Sequence, residues 1–187
     1  MEKTMTWNEF VERKDRTRKE VLERAAARVE AGCPSRYNLD LDMLPIISTW
    51  DRIPFSFTTQ SCSGTPKEHN CKHYSPVNGL EGNANSILYA HSYMGHPLFE
   101  PLRSFLEASI ANEADTTKSH AHGLKEYGGL YLHMIEVWVP EEVKASGNLE
   151  YLDGFWNRFN RDLKEFVQEH KASRDWFWNG KETITRV

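Results

Sequence analysis

An α+β fold is what the sequence predicts: one mixed domain in which helices pack on a largely antiparallel sheet. Three observations predict it. Apolar residues recur at helical spacing near both ends of the chain, and short runs with strand-like alternation lie between them. The chain has 187 residues, of which 39% are hydrophobic, so it can bury one sizeable core. No internal repeat or dividing linker is visible, so we predict a single domain over residues 1–187 with its core at about residues 7–171.

The helices are predicted from their apolar spacing and from the residues that end them. Trp7 to about Ala31 forms the first, and Gly32 stops it. Asp40 to Trp50 forms a shorter one, in which Pro45 must occupy the first turn or cause a kink. Spacings of three and four residues predict two more helices, marked by Leu98, Leu102, Phe105, Leu106 and Ile110, and by Leu149, Leu152, Trp156, Phe159, Leu163 and Phe166.

The predicted strands are short and lie between these helices. Phe55 to Thr59 is rich in residues that favour strands, and Asn85 to Tyr93 alternates as a strand does. Tyr131 to Val139 is the clearest strand. Thr65 to Asn85 holds many turn-forming residues and is predicted to be a loop or a hairpin. Asp115 to Gly129 is polar and is predicted to be a loop containing a turn of helix.

Charge and composition narrow the classes of function. The net charge of −4 weighs against a broad nucleic-acid-binding surface. A local basic stripe at Arg13–Lys19 is interpreted as a solvated helix face. No apolar run approaches the roughly 20 residues that span a bilayer, and no signal peptide follows Met1, so a soluble, cytoplasmic protein without a membrane partner is expected. The three cysteines argue against a disulfide framework.

The tail after Ala172 carries Trp176, Phe177 and Trp178 before a polar end. Aromatic residues make up 12% of this chain and are more often core than a platform for stacking bases. The near-terminal Trp176 and Trp178 are the exception, because such a pair is either docked on the domain or exposed for a partner.

The stretch from Phe57 to Gly64 is the strongest candidate for a site. It leads from a strand into a turn of hydroxylated residues with one thiol, and functional side chains are often carried where strands open into loops. Ser61, Cys62 and Ser63 can form a turn whose backbone N–H groups hold an anion or a cofactor. In the alternative interpretation, the hydroxyls only satisfy the local backbone. No Gly-x-Gly-x-x-Gly is present, so a Rossmann-type binding loop has no support.

Metal binding is a second hypothesis from the residues alone. His69, Cys71 and His73 would share one face of an extended chain, and Cys62 can supply the fourth ligand of a tetrahedral Cys2His2 zinc site. The spacing is not that of a known zinc finger, and such ligands also cluster in loops by chance. Both interpretations stay open.

His120, His122 and His133 form a further group. His133 shares a strand face with apolar residues, which is typical of a satisfied, half-buried histidine. The other two lie in a polar segment and are expected to face solvent. Alternatively, all three line one cleft with His91 and act as proton shuttles near neutral pH.

The segment around Cys62 also carries a resemblance to a known family. "SFTTQSCSG" resembles the T-T-S-S-C-S-G-R signature of the wybutosine-pathway tRNA methyltransferases, the family of tRNA wybutosine-synthesising protein 3. The flanking sequence fits: "EFVERKDRTRKEVLERA" and "LDLDMLPIISTW" come before it. "ILYAHSYMGHPLFEP" looks like the family's strand ending in Ser-His with a Phe-Glu-Pro helix start, and "LEYLDGFWNRFNRDLKEFVQEH" is similar to its closing helix. The resemblance covers roughly Trp7 to Lys171.

The resemblance implies transfer of a methyl group from S-adenosylmethionine to a nitrogen of a tricyclic guanine base in tRNA. It assigns cofactor binding to four signature residues, Thr59, Ser61, Ser63 and Gly64. It assigns catalysis to Cys62 and His91. Because Cys62 and His91 lie near the ends of two strands, we expect them to converge on one cleft if both strands belong to one sheet. A neutral imidazole there would accept a proton during methyl transfer.

Two arginines of the family pattern are absent from this chain. Thr65 follows the signature glycine, and the family's later Gly-Phe-Arg-Ser-Gly-like loop is Lys125–Gly129 here. Guanidinium groups bind phosphate or carboxylate in a bidentate manner, so their loss bears on the activity rather than on the fold. A non-catalytic nucleotide- or RNA-binding relative is therefore the alternative to an enzyme.

Overall fold

An antiparallel sheet with helices on both faces organises residues 4–31, 43–62, 84–111, 118–138 and 150–181, which the computed structural model describes. The sheet has four strands in the order β1-β2-β4-β3, and every pair is antiparallel. The predicted α+β class is confirmed. The elements in chain order are α1 (Trp7–Ala31), α2 (Leu44–Trp50), β1 (Ser56–Cys62), β2 (Ala84–Tyr93), α3 (Phe99–Ala111), β3 (Lys118–Glu126), β4 (Leu130–Trp138) and α4 (Glu150–His170).

The start of α1 is closed by a reciprocal capping box. The backbone N–H of Thr6 donates to the Glu9 carboxylate at 2.8 Å, and the backbone N–H of Glu9 donates to Thr6 Oγ1 at 3.3 Å. Pro45 lies in the first turn of α2, one of the two predicted alternatives, where its missing N–H costs nothing. None of the helices in the described part of the chain is both long and apolar enough to cross a membrane.

Three helices form a layer on one face of the sheet. α2 packs on β1, α3 packs on β3, and α4 lies between α2 and α3. Two buried polar contacts fix α4: Trp156 Nε1 donates to Ser86 Oγ of β2 at 2.7 Å, and Thr49 Oγ1 of α2 lies 2.7 Å from Asn160 Oδ1. The apolar core lies between this layer and the sheet, and its largest fully buried side chains include Trp50, Phe55, Leu88, Leu102, Ile135 and Phe155.

α1 lies on the opposite face and covers one end of the sheet. Its Phe10 packs against Phe57 of β1 and Leu130 of β4, and all three side chains are buried. Among the described helices, α1 is the one on this face. It leaves Tyr89 and Met134, further along the strands, partly exposed.

The charged stripe of α1 is not wholly a solvated face, and that interpretation is wrong for Lys14. The Lys14 side chain is buried, and its Nζ donates to the carbonyls of Asp51, at 3.0 Å, and of Ile53. Arg18, one turn further on, pairs with the Asp51 carboxylate at 2.9 Å. A long aliphatic stem allows the ammonium group to reach two carbonyls in the turn after α2, and it fixes α1 against this turn.

We expect the stability of the protein to rise with pH in the alkaline range because of Lys14. Burial lowers the pKa of Lys14 from 10.5 to about 8, while the nearby Asp51 carboxylate opposes the shift. Between these two values the unfolded chain binds more protons than the folded one, so the free energy of unfolding increases as pH rises. Urea unfolding at a series of pH values measures this rise. It should be absent in Lys14→Met, and an equal rise in that variant would contradict the assignment.

Residues 118–126 are a strand, so the predicted loop from Asp115 to Gly129 is wrong there. β3 pairs with β4 along its whole length, and the turn that joins them is a single 3-10 turn. Gly128 and Gly129 have φ values of 82° and 86°, which glycine adopts without strain. Within the strand, Gly123 has no Cβ, and one placed there would overlap the ring of Tyr131. The part of that prediction at residues 115–117 lies outside the described residues.

Candidate functional site

A β-bulge at Thr59 decides where the signature residues lie. The register between β1 and β2 shifts between Thr58 and Gln60, so Thr59 is the extra residue. Its Oγ1 donates to the carbonyl of Tyr89 at 3.4 Å. An inserted residue reverses the alternation beyond it, and bulges of this kind often redirect a side chain next to a functional site.

β1 continues to Cys62, so the predicted turn is wrong for Ser61 and Cys62, and Ser61 is buried although it stands near the end of the strand. Its Cα pairs with that of Leu88, a core residue on the face that α2, α3 and α4 cover. The Ser61 side chain is 1% exposed. Within the described part of the chain, its Oγ has no hydrogen-bond partner. Buried polar groups in native proteins are nearly always paired, so this hydroxyl calls for a partner outside the described residues.

Cys62 begins a row of paired residues that crosses all four strands. Its Cα pairs with that of Ile87, which pairs with Glu136, which pairs with His120. Residues that oppose each other across strands share a face of the sheet. α1 covers the end of the sheet that contains Phe57, and this row lies at the other end.

Glu136 is the functional candidate that the sequence analysis missed. The phenol of Tyr89 donates to Glu136 Oε1 at 3.0 Å on the partly exposed face. Burial, then this hydrogen bond and the carboxylate charge, raise the pKa of Tyr89 to about 12, so the phenol keeps its proton and continues to donate. The available signal was a charged residue between Ile135 and Val137, in the middle of the clearest strand.

His91 lies far from Cys62, and the expected convergence of the two is wrong. Its Cα pairs with that of Phe57, whereas Cys62 pairs with Ile87, four residues away on the same strand. At roughly 3.3 Å per residue, the two positions are about 13 Å apart along the strands. The His91 ring is buried and stacks on Phe57 with ring centroids 5.5 Å apart. Antiparallel pairing is the cause, because the end of β1 meets the beginning of β2.

His133 belongs to a buried chain of hydrogen bonds on the face of the sheet that α2, α3 and α4 cover. Ser56 Oγ accepts from Trp50 Nε1 at 2.7 Å and from Ser92 Oγ at 2.8 Å, and it donates to the carbonyl of His91 at 2.9 Å. Since the Ser92 proton is used there, the bond of 2.9 Å between His133 and Ser92 requires an N–H on Nε2. Burial lowers the pKa of His133 to about 3, so the ring is neutral at neutral pH. The interpretation of His133 as a satisfied histidine fits this geometry.

Several predicted site residues cannot be placed. Ser63 and Gly64, and the metal-ligand candidates His69, Cys71 and His73, lie outside the described residues. In the described ranges alone, no group of three or more potential ligands gathers in a way that could hold a metal ion. The metal-binding hypothesis therefore stays a prediction.

A groove of about 590 Å³ lies elsewhere, between α3 and α4. Its walls carry both acidic and basic side chains, including Arg158, Arg161 and Glu165, beside the apolar rings of Phe105 and Phe166. All of its lining residues belong to these two helices, so the strand that carries the signature contributes nothing to it.

Comparison with known proteins gives little beyond this. No protein-family model matches the chain. No curated protein matches it either. Among solved structures, the PH1069 protein from Pyrococcus horikoshii is similar, with a TM-score of 0.41 and 16% sequence identity over 86% of this chain and 97% of that one. A likeness this weak carries no argument about fold or function.

Proposed function

We propose that this protein modifies tRNA, using S-adenosylmethionine to methylate a wybutosine-type guanine base at the Cys62 end of the sheet. One observation carries the proposal: the family-like signature runs through the end of β1, beside the half of the sheet face that α1 leaves partly exposed. The Phe-Glu-Pro of the resemblance stands at the first turn of α3, and its closing helix coincides with α4. Both segments therefore lie on helices, as the resemblance implies, and this agreement supports the proposal.

The residues present fit a cofactor at the end of β1. The buried Ser61 hydroxyl has no partner within the described ranges, and an oriented hydroxyl of this kind can bind a polar atom of a ligand. Ser61 and Thr59, with Ser63 and Gly64, would hold the cofactor. S-adenosylmethionine, when bound, supplies an electrophilic methyl group.

Glu136 is the residue proposed to accept the proton that the substrate nitrogen loses. It replaces His91 in this role, because His91 is buried about 13 Å from Cys62 along the strands, at roughly 3.3 Å per residue. Glu136 stands two strands from Cys62 in the same row, which corresponds to about 10 Å between the two backbones. The Tyr89 phenol orients the carboxylate. A positioned carboxylate of this kind acts as a general base.

Calorimetric titration with S-adenosylmethionine tests the proposal. We expect saturable binding, weakened about fivefold in Ser61→Ala, since one hydrogen bond is worth about 1 kcal/mol. Ser104→Ala is the matched control, because Ser104 is exposed on α3 and should leave the affinity unchanged. An absence of heat at millimolar ligand would remove the methyltransferase hypothesis and leave the non-catalytic relative.

A further inference from the structure

The chain beyond α4 is built into a fixed turn. A 3-10 turn at Arg174–Phe177 follows the helix, and Ser173 caps it by accepting a hydrogen bond from the backbone N–H of Trp176 at 3.3 Å. A side-chain cap satisfies a backbone group that would otherwise be left to water, so this turn has a defined start.

Two tryptophans anchor this turn on either side of Phe177. Trp176 is partly buried against the main core. Trp178 docks into an aromatic cluster, with ring centroids 5.1 Å from Trp7, 5.3 Å from His96 and 6.1 Å from Tyr93. Edge-to-face and offset stacking at such distances is favourable, so both neighbours of Phe177 are held. Of the two alternatives for the tryptophan pair, docking on the domain is the one observed.

His96 keeps this aromatic cluster uncharged. Its Nδ1 accepts from the backbone N–H of Leu98 at 3.1 Å, and its ring stacks on Phe55 with centroids 4.0 Å apart. Burial lowers the pKa of His96 to about 3. The docking of Trp178 is therefore independent of protonation over the neutral pH range.

Phe177 itself is held facing water. It is 73% exposed, more than Leu22 at 58%, the other exposed large hydrophobic residue in the described ranges. Leu22 stands on the solvent side of a long helix, whereas the Phe177 ring projects from a turn that is anchored before and after it. A rigidly presented aromatic ring loses little conformational freedom on binding, which favours a recognition role.

Basic residues outnumber acidic ones in the segment that contains Phe177. From residue 171 to residue 181, Lys171, Arg174 and Lys181 are all exposed, against the single acidic side chain of Asp175. This local excess of positive charge contrasts with the net charge of −4 of the whole chain. A cationic surface that carries an exposed aromatic ring matches a polyanion with accessible bases.

We infer that Phe177 stacks on an unpaired base of an RNA while Lys171, Arg174 and Lys181 attract the neighbouring phosphates. The inference rests on the proposed function, since it takes the substrate RNA as the partner. It adds a docking surface that is separate from the candidate methyl-transfer site.

Filter binding of unfractionated tRNA at low ionic strength tests this surface. We expect Phe177→Ala to weaken binding about tenfold, because one stacked base is worth about 1–3 kcal/mol. Phe177→Trp should restore the affinity, since it keeps a stacking face. Leu22→Ala removes the other exposed large apolar side chain of the described ranges and should leave the affinity unchanged.

The outcomes separate this inference from the proposed function. Wild-type binding that Phe177→Ala does not change overturns the surface while leaving a tRNA-binding protein. A loss of self-association in Phe177→Ala, seen by light scattering, would make the surface a protein contact and also overturn it. If wild-type protein fails to bind tRNA, both the surface and the tRNA substrate are excluded, and the calorimetric titration still reports whether the cofactor binds.

Discussion

Replacing Glu136 by Gln is expected to lower the rate of methyl transfer to tRNA by at least about 100-fold, the lower range for a general base. The amide keeps the shape and can still accept a hydrogen bond from Tyr89, but it cannot take up a proton. Transfer of radiolabel from S-adenosylmethionine to tRNA measures the rate. Affinity for S-adenosylmethionine should stay within about twofold, because Glu136 acts on the substrate and contacts that bind the cofactor are retained.

Two further variants make the test of Glu136 specific. Glu12→Gln changes an exposed carboxylate on α1 and should leave the rate unchanged. Tyr89→Phe removes the orienting hydroxyl but keeps the ring and the base, so we expect a smaller loss than in Glu136→Gln. A Glu136→Gln variant with the wild-type rate would show that another group accepts the proton.

Ser56→Ala should lower the free energy of unfolding by about 3 kcal/mol, since each buried polar group left unpaired costs about 1–3 kcal/mol. Ser56 is fully buried and accepts from both Trp50 Nε1 and Ser92 Oγ, so its loss strands two donors. Urea unfolding followed by tryptophan fluorescence measures the change. The hydroxyl lies on the opposite side of the sheet from Glu136, so the variant tests the fold rather than the candidate site.

The controls for Ser56→Ala come from the same region. Ser48→Ala alters an exposed serine on α2 and should change stability by less than about 0.5 kcal/mol. Trp50→Phe removes one of the stranded donors, so the double variant with Ser56→Ala should be destabilised less than the sum of the single changes. Equal stabilities of Ser56→Ala and Ser48→Ala would contradict the hydrogen-bond chain.

Periodicity predicts the helices of this fold well and the polar edge strand poorly. α1 begins and ends at the predicted residues. α4 extends from Glu150 to His170 and contains most of the predicted apolar stripe. β3 escapes prediction because "KSHAHGLKE" has few residues that favour strands and carries a glycine in its middle. It is held as a strand by backbone pairing with β4, a tertiary contact that local propensity does not report.

The candidate site depends on register, which the sequence alone does not give. Alternation places Cys62 and His91 near strand ends, but only the antiparallel pairing shows that these are opposite ends of the sheet. The bulge at Thr59 likewise reverses which side chains face the core, and it is what buries Ser61. Glu136 becomes a candidate only when its row is traced back to Cys62 through Ile87.

A crystal structure of the protein soaked with S-adenosylmethionine tests the proposed site most directly. We predict density for the ligand at the end of β1, within hydrogen-bond reach of Ser61 Oγ. Density in the groove between α3 and α4, beside Phe105 and Arg158, would contradict this placement. So would an empty β1 end at saturating ligand.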